Sequence, residues 1–137
     1  MFENSKFTGD ISGWDVSGVA NMMWMFAWAH FNGDISKWNV SNVTNMSFMF
    51  AHSFFNKDIS CWDVSGVTTM RCMFFDTQFN QDISNWDVSN VTDMEDMFTC
   101  SSFNHDISGW NLISLNNTGY MFTDCPIKAE YMPKKIR

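Results

Sequence analysis

The run Phe79-Asn80-Gln81-Asp82-Ile83-Ser84-Asn85-Trp86-Asp87-Val88-Ser89-Asn90-Val91-Thr92-Asp93-Met94-Glu95-Asp96-Met97-Phe98 governs the reading of this chain, because it recurs. Asp-Ile-Ser begins at Asp10, Asp34, Asp58, Asp82 and Asp106, one start every 24 residues. Trp14, Trp38, Trp62, Trp86 and Trp110 keep the same step, as do Val16, Val40, Val64, Val88 and Leu112. Val19, Val43, Val67, Val91 and Leu115 follow, then Met22, Met46, Met70 and Met94, with Thr118 breaking that column. Met25-Phe26 and its copies at Met49, Met73, Met97 and Met121 close each unit, and Phe7, Phe31, Phe55, Phe79 and Phe103 precede each Asp-Ile-Ser. No residue is inserted or lost across the five copies.

A fixed period with the same large side chain in every copy implies stacked coils, each too small to bury its own apolar face. One inserted residue would throw a coil out of register. At the spacing of neighbouring strands, about 4.8 Å, five coils make a rod on the order of 25 Å long. The expected domains are therefore residues 1–120 as five solenoid repeats and residues 121–137 as a C-terminal capping segment. Within one coil, Ile83, Trp86 and Val88 follow the apolar order of a leucine-rich repeat. A short parallel strand is expected over Ser84–Val88, with Asp87 outward. Gly18, Asn42, Gly66 and Asn90 are residue types that tolerate a left-handed turn. The spacing of Val91, Met94, Met97 and Phe98 is helical, with Thr92 or Asp93 as its cap. The fold class expected is an α/β repeat solenoid, leucine-rich-repeat-like, with one short strand and one short helix per coil.

The chain has 137 residues and a net charge of −7, which argues against nucleic acid or an anionic membrane as partner. Residues 1–120 carry thirteen acids and four bases, whereas residues 121–137 carry two acids and four bases, so the tail is chemically distinct. No apolar run is long enough for a transmembrane segment, and no signal peptide is visible. Met1-Phe2 stands in phase with Met25-Phe26, which suits a piece of a longer parent as well as a small intact protein.

The pattern F-N-x-D-I-S-x-W-D-V-S-N-V-T-x-M-x-x-M-F, nearly unbroken from Phe79 to Phe98 and again from Phe31 to Phe50, resembles the repeat of the BspA-like leucine-rich-repeat surface proteins. The resemblance is to the type described as a mycoplasma domain of unknown function, and it covers residues 1–125. It implies a leucine-rich-repeat-like solenoid on a bacterial surface or secreted protein, with adhesion or host contact in some members. It carries over no catalytic residue. Cell-surface or secreted localisation follows from the resemblance alone.

Four sets of residues are candidates for chemistry or recognition. The ladder Asp10, Asp34, Asp58, Asp82 and Asp106 offers oxygen ligands for calcium. The favoured reading is structural, each carboxylate closing the turn before its strand, with Asn32, Asn56, Asn80 and Asn104 alongside. The outward column Asp15, Asn39, Asp63, Asp87 and Asn111, flanked by the variable Lys37 and Asn85, is the expected partner-binding face, with a solvated polar face as the alternative. Trp24, Trp28, Phe48, Phe54 and Phe75 stand at non-repeating phases; they are read as satellite core in preference to an exposed patch. The tryptophans of the Trp14–Trp110 column are read as a structural ladder.

Cys100 and Cys125 differ by one coil and one residue, which would set them side by side for a disulfide in an oxidising compartment; buried free thiols are the favoured alternative. His30, His52 and His105 fall in three different phases, so no His-based metal or nucleophile site assembles, and no cofactor is implied. The function expected is a non-catalytic surface, adhesion or protein-interaction module with an unknown protein or glycan ligand. A structural spacer rod is the alternative, and evenly repeated acids argue against a glycan hydrolase. Pro126 to Arg137 are expected to fold over the last coil, with Lys134, Lys135 and Arg137 facing solvent. The end bearing Met1, Phe2 and Phe7 is expected either to fray or to self-associate.

Overall fold

The computed structural model describes residues 1–136 and contains neither a β-strand nor an α-helix among them. Its regular elements are two short 3₁₀ turns, Ala129–Tyr131 and Lys134–Ile136. The chain is thus not the α/β leucine-rich-repeat solenoid that the apolar spacing suggests. Each coil is instead a closed series of turns.

One coil shows how. Trp38 N–H donates to Ile35 C=O (3.1 Å), Val43 N–H to Val40 C=O (2.9 Å), and Met49 N–H to Met46 C=O (3.2 Å). Ala51 N–H then reaches Phe48 C=O (3.2 Å), and Ser53 N–H reaches Phe50 C=O (3.0 Å). Every bond spans three residues, so the backbone reverses before a run of extended residues can form. Polar side chains close the corners between them. Ser36, Ser41 and Ser47 N–H groups donate to Oδ1 of Asp34, Asn39 and Asn45 at 2.9, 3.1 and 2.9 Å. These are Asx turns, which short side-chain oxygens two residues upstream make readily.

The strand expected at Ser84–Val88 fails for this reason. Trp86 N–H turns back to Ile83 C=O (3.1 Å), and Asp87 spends its carboxylate on Ser89 N–H (3.0 Å). The expected helix fails differently. Met97 N–H bonds Met94 C=O (3.1 Å), but Phe98 N–H leaves the coil for Met121 C=O (3.0 Å). Asp96 between them has φ of +56°, which a right-handed helix excludes. The left-handed residues also lie elsewhere than expected. No glycine has a positive φ, and Asn42 and Asn90 do not; the left-handed positions are Trp24, Phe48, Cys72, Asp96 and Tyr120, and Asn4, Trp28, His52, Asp76, Cys100 and Asp124. Asn42 and Asn90 instead reach back with their amides to Ser17 and Ser65 C=O, both at 2.7 Å.

The coils stack 24 residues apart through a backbone ladder. Met22, Met46, Met70 and Met94 donate to the carbonyls of Asn45, Thr69, Asp93 and Asn117 at 2.9, 3.1, 2.9 and 3.0 Å. Phe26, Phe50, Phe74 and Phe98 donate likewise to Met49, Met73, Met97 and Met121 at 2.8, 3.0, 3.0 and 3.0 Å. Single parallel bridges join Asn21, Asn45, Thr69, Asp93 and Asn117 in succession. A left-handed non-glycine residue costs about 1–2 kcal/mol. The ladder offsets that cost, because it holds the N–H of residues such as Phe48 and His52 to the next coil at 2.8 Å.

The core is aromatic. Phe26, Phe50, Phe74, Phe98 and Phe122 stack with centroids 5.6, 5.8, 5.7 and 5.8 Å apart. Phe55, Phe79 and Phe103 form a second column that packs on the first, as in Phe74–Phe79 at 4.0 Å. Burying each such ring stabilises by about 2–3 kcal/mol. Trp38, Trp62, Trp86 and Trp110 are buried, each leaning on a phenylalanine of the first column. At the far end Ile127 is buried, and Tyr131 C=O accepts from Ile107 N–H (3.0 Å). Lys135 does not simply face solvent. Its ammonium donates to the carbonyls of Leu112 (2.7 Å) and Leu115 (3.0 Å). Arg137 lies outside the described residues.

Candidate interaction surface

The column Asp15, Asn39, Asp63, Asp87 and Asn111 is exposed, and Oδ1 of each residue is engaged by the chain itself. Asp15, Asp63 and Asp87 each accept the N–H of the serine two residues on (3.0–3.1 Å) and that serine's hydroxyl (2.6 Å). Asn39 does the same, and Asn111 accepts from Ile113 N–H (3.2 Å). Hydrogen bonds from serine hold the carboxyls of Asp15, Asp63 and Asp87 below the usual range. Asn85 donates to Ser60 C=O (3.1 Å), and Lys37 is exposed beside them.

The second acidic ladder is occupied in the same way. Asp10, Asp34, Asp58, Asp82 and Asp106 accept the N–H of Ser12, Ser36, Ser60, Ser84 and Ser108 at 2.9–3.0 Å. The side chains and N–H groups of these serines lower the pKa of the first four, the side chain leading at Asp10 and Asp34 and the N–H at Asp58 and Asp82. Among the described residues, no group of three or more His, Cys, Asp or Glu side chains is arranged to hold a metal ion.

All four cysteines are free, so the Cys100–Cys125 disulfide is not made. Cys125 turns away from that pairing: its thiol donates to Phe103 C=O (3.2 Å) and lies 3.6 Å from Ser101 Oγ. Cys72 is buried, and burial with the nearby Asp96 pushes its thiol up to about 11. The histidines stand apart: His52 Nδ1 meets Asp76 Oδ2 at 2.8 Å, His30 packs edge-on to Phe54, and His105 Nε2 lies 2.9 Å from Asn80 C=O.

The non-repeating aromatics lie at the surface and are not satellite core. Trp28 is 43% exposed and Phe54 58%, while Trp24, Phe48 and Phe75 are half-buried. All but Phe54, which meets His30, form a connected array. Trp24 stacks on Phe48 at 4.0 Å and lies 5.6 Å from Trp28; Trp28 stacks on His52 at 4.8 Å; His52 meets Phe75 edge-on at 5.2 Å. Met23 is exposed beside them.

The left-handed backbone produces this face. At columns 24 and 28 it brings every side chain but the buried Cys72 to the surface, the ladder holds the amides of all but Tyr120 and Asp124, and the residue type changes from coil to coil. The first column reads Trp24, Phe48, Cys72, Asp96, Tyr120; the second reads Trp28, His52, Asp76, Cys100, Asp124. Met23, Ser47, Arg71, Glu95 and Gly119 run alongside, and Arg71 pairs with Glu95. The three columns thus carry mostly aromatic and apolar side chains in the first two coils and the carboxylates in the next three, where the exposed Tyr120 is the one aromatic. The periodic pattern did not single out Met23, His52, Asp76, Asp96 and Asp124. The signal that finds them is the failure of their phases to repeat.

The molecule is a repeat protein of stacked, turn-built coils whose recurring apolar side chains lie inside and whose columns 23, 24 and 28 vary from coil to coil. The chain belongs to the family described as Mycoplasma protein of unknown function, DUF285, whose model matches residues 1–75 and again 51–132. No curated protein and no solved structure matches it. Among the described residues, no helix is long and apolar enough to cross a membrane.

Proposed function

We propose that the chain is a non-catalytic interaction module of a cell-surface or secreted protein, related to the BspA-like surface proteins, and that it binds a protein or glycan ligand. The observation that carries this reading is the gathering of variable residues at columns 23, 24 and 28 on one face, over a core that scarcely changes. A spacer rod needs the core alone and has no use for Trp28 or Phe54 at the surface. Recognition benefits from such residues, because exposed aromatic area is what binding hot spots are made of. The Asp15–Asn111 column is the weaker candidate, since its oxygens are already engaged in turns. Self-association is the second element of the proposal, supported by Trp14, which is 44% exposed where its column mates are buried.

Screening the purified chain against glycan and protein arrays tests the main reading. Retention of a ligand that is lost on replacing Trp28 with glycine is the expected result. Absence of any ligand, or retention untouched by that change, would leave the spacer.

A further inference from the structure

The proposed interaction face has a polarity along the stack, and its charges specify the partner. On columns 23, 24 and 28 the acids Asp76, Glu95, Asp96 and Asp124 stand against one base, Arg71, which is paired with Glu95. Asp76 and Asp124 are exposed, with one Asp76 oxygen meeting His52 Nδ1 (2.8 Å), and the half-buried Asp96 accepts from the Thr99 hydroxyl through one oxygen (3.0 Å). Three coils carry this acidity, and the two before them carry Met23, Trp24, Trp28 and Phe48. From Trp28 to Asp124 is four coil steps, on the order of 19 Å, a span of about six extended residues.

The rings also restrict what can bind. Trp24 and Phe48 lie nearly parallel, with 10° between planes, and so do Trp28 and His52, with 11°. Stacking covers one face of each ring, which narrows the aromatic surface left to a sugar ring or a cation. The exposed remainder is apolar area, and the carboxylates further along supply the attraction for positive charge.

On the reading of this face as an interaction surface, we infer that it takes an extended polypeptide segment with an apolar half and a basic half. The apolar side chains lie over Met23, Trp24, Trp28 and Phe48, and the lysines or arginines reach Asp76, Asp96 and Asp124. A purely basic segment gains nothing from the rings, and a purely apolar one gains nothing from the carboxylates.

Titration calorimetry of the full chain with a short synthetic peptide, leucine-rich in one half and lysine in the other, tests this. Oligolysine and a cello-oligosaccharide serve as comparison probes. Trp28→Gly strips a ring at a left-handed position where glycine carries no strain, and Asp96→Asn with Asp124→Asn strips charge at positions that asparagine tolerates. The two-part peptide should bind, and each variant should weaken it about tenfold. The double asparagine variant should also flatten its salt dependence. If Trp28→Gly proves unfolded, the asparagine variant decides alone. Equal binding of oligolysine and the peptide would reduce the effect to general attraction toward an acidic chain and overturn the inference. Binding of the oligosaccharide through Trp28, without the peptide, would also overturn it while leaving the interaction module intact. Silence with every probe and on the arrays would remove both.

Discussion

The indole N–H of Trp62 donates to the carbonyl of Ile35, 27 residues earlier, at 3.0 Å and out of contact with water. Trp38, Trp86 and Trp110 repeat the bond to Ile11, Ile59 and Ile83 at 3.0–3.2 Å. Each tryptophan therefore pins its own coil to the one before it, while its ring fills the core. Trp62→Phe keeps an aromatic ring and removes one of two hydrogen bonds to Ile35 C=O, which still accepts from Trp38 N–H, so it should cost about 0.5–1.5 kcal/mol in urea unfolding. Trp14→Phe, at the exposed end of the column, should cost about 0.5 kcal/mol or less. Equal losses at both positions would show that the bond contributes nothing.

Asp63 differs from Asn39 only in its charge, since both accept from the following serine N–H and hydroxyl. The folded carboxyl titrates below its ordinary 3.8, held down first by the Ser65 hydroxyl and then by the Ser65 N–H. The unfolded chain therefore takes up the proton first as pH falls. This contribution to stability is fully present above 3.8 and is lost below it, through the lowered folded value. Asp63→Asn should flatten the acid limb of stability against pH and keep the turn. Asp63→Ala should lower the unfolding midpoint at neutral pH as well.

Cys72 is buried, with its thiol raised to about 11, whereas Cys61 and Cys100 are exposed. In the folded chain at neutral pH, a thiol reagent should label Cys61 and Cys100 promptly and Cys72 only after unfolding. Mass mapping of the labelled sites checks this. A Cys100–Cys125 disulfide in protein purified without reductant would contradict the free-thiol arrangement.

Cys100 is exposed and has φ of +57°, a conformation that glycine adopts without strain. Cys100→Gly should therefore raise stability by about 1 kcal/mol, against the usual rule for glycine. Cys100→Val should lower it, because a branched side chain fits this region worst. Thermal melts of the two variants measured side by side give the sign directly.

Much of the interior can be read from the primary sequence. The columns of Phe26, Val43, Met46 and Trp62 recur at the same interval at which the backbone ladder joins the coils. The local backbone cannot be read in the same way. Ile83-x-x-Trp86-x-Val88 suits a strand and Val91, Met94, Met97, Phe98 a helix, because both elements place apolar residues at those intervals. The destination of the Phe98 N–H separates the cases: it goes to Met121, a residue 23 positions on, and spacing within one coil holds no trace of that. The surface was misjudged for a related reason. A tryptophan at position 24 or 28 looks like core until the left-handed backbone that turns it outward is known.

The sequence by itself determined the period and the identity of the side chains that recur in each coil, since both are properties of order along the chain. Tertiary structure alone decided that the coil would be built from turns and that Trp24, Trp28, Asp96 and Asp124 would share a face. A left-handed residue is unfavourable in isolation, and those from Trp24 to Cys100 persist because the next coil accepts their N–H.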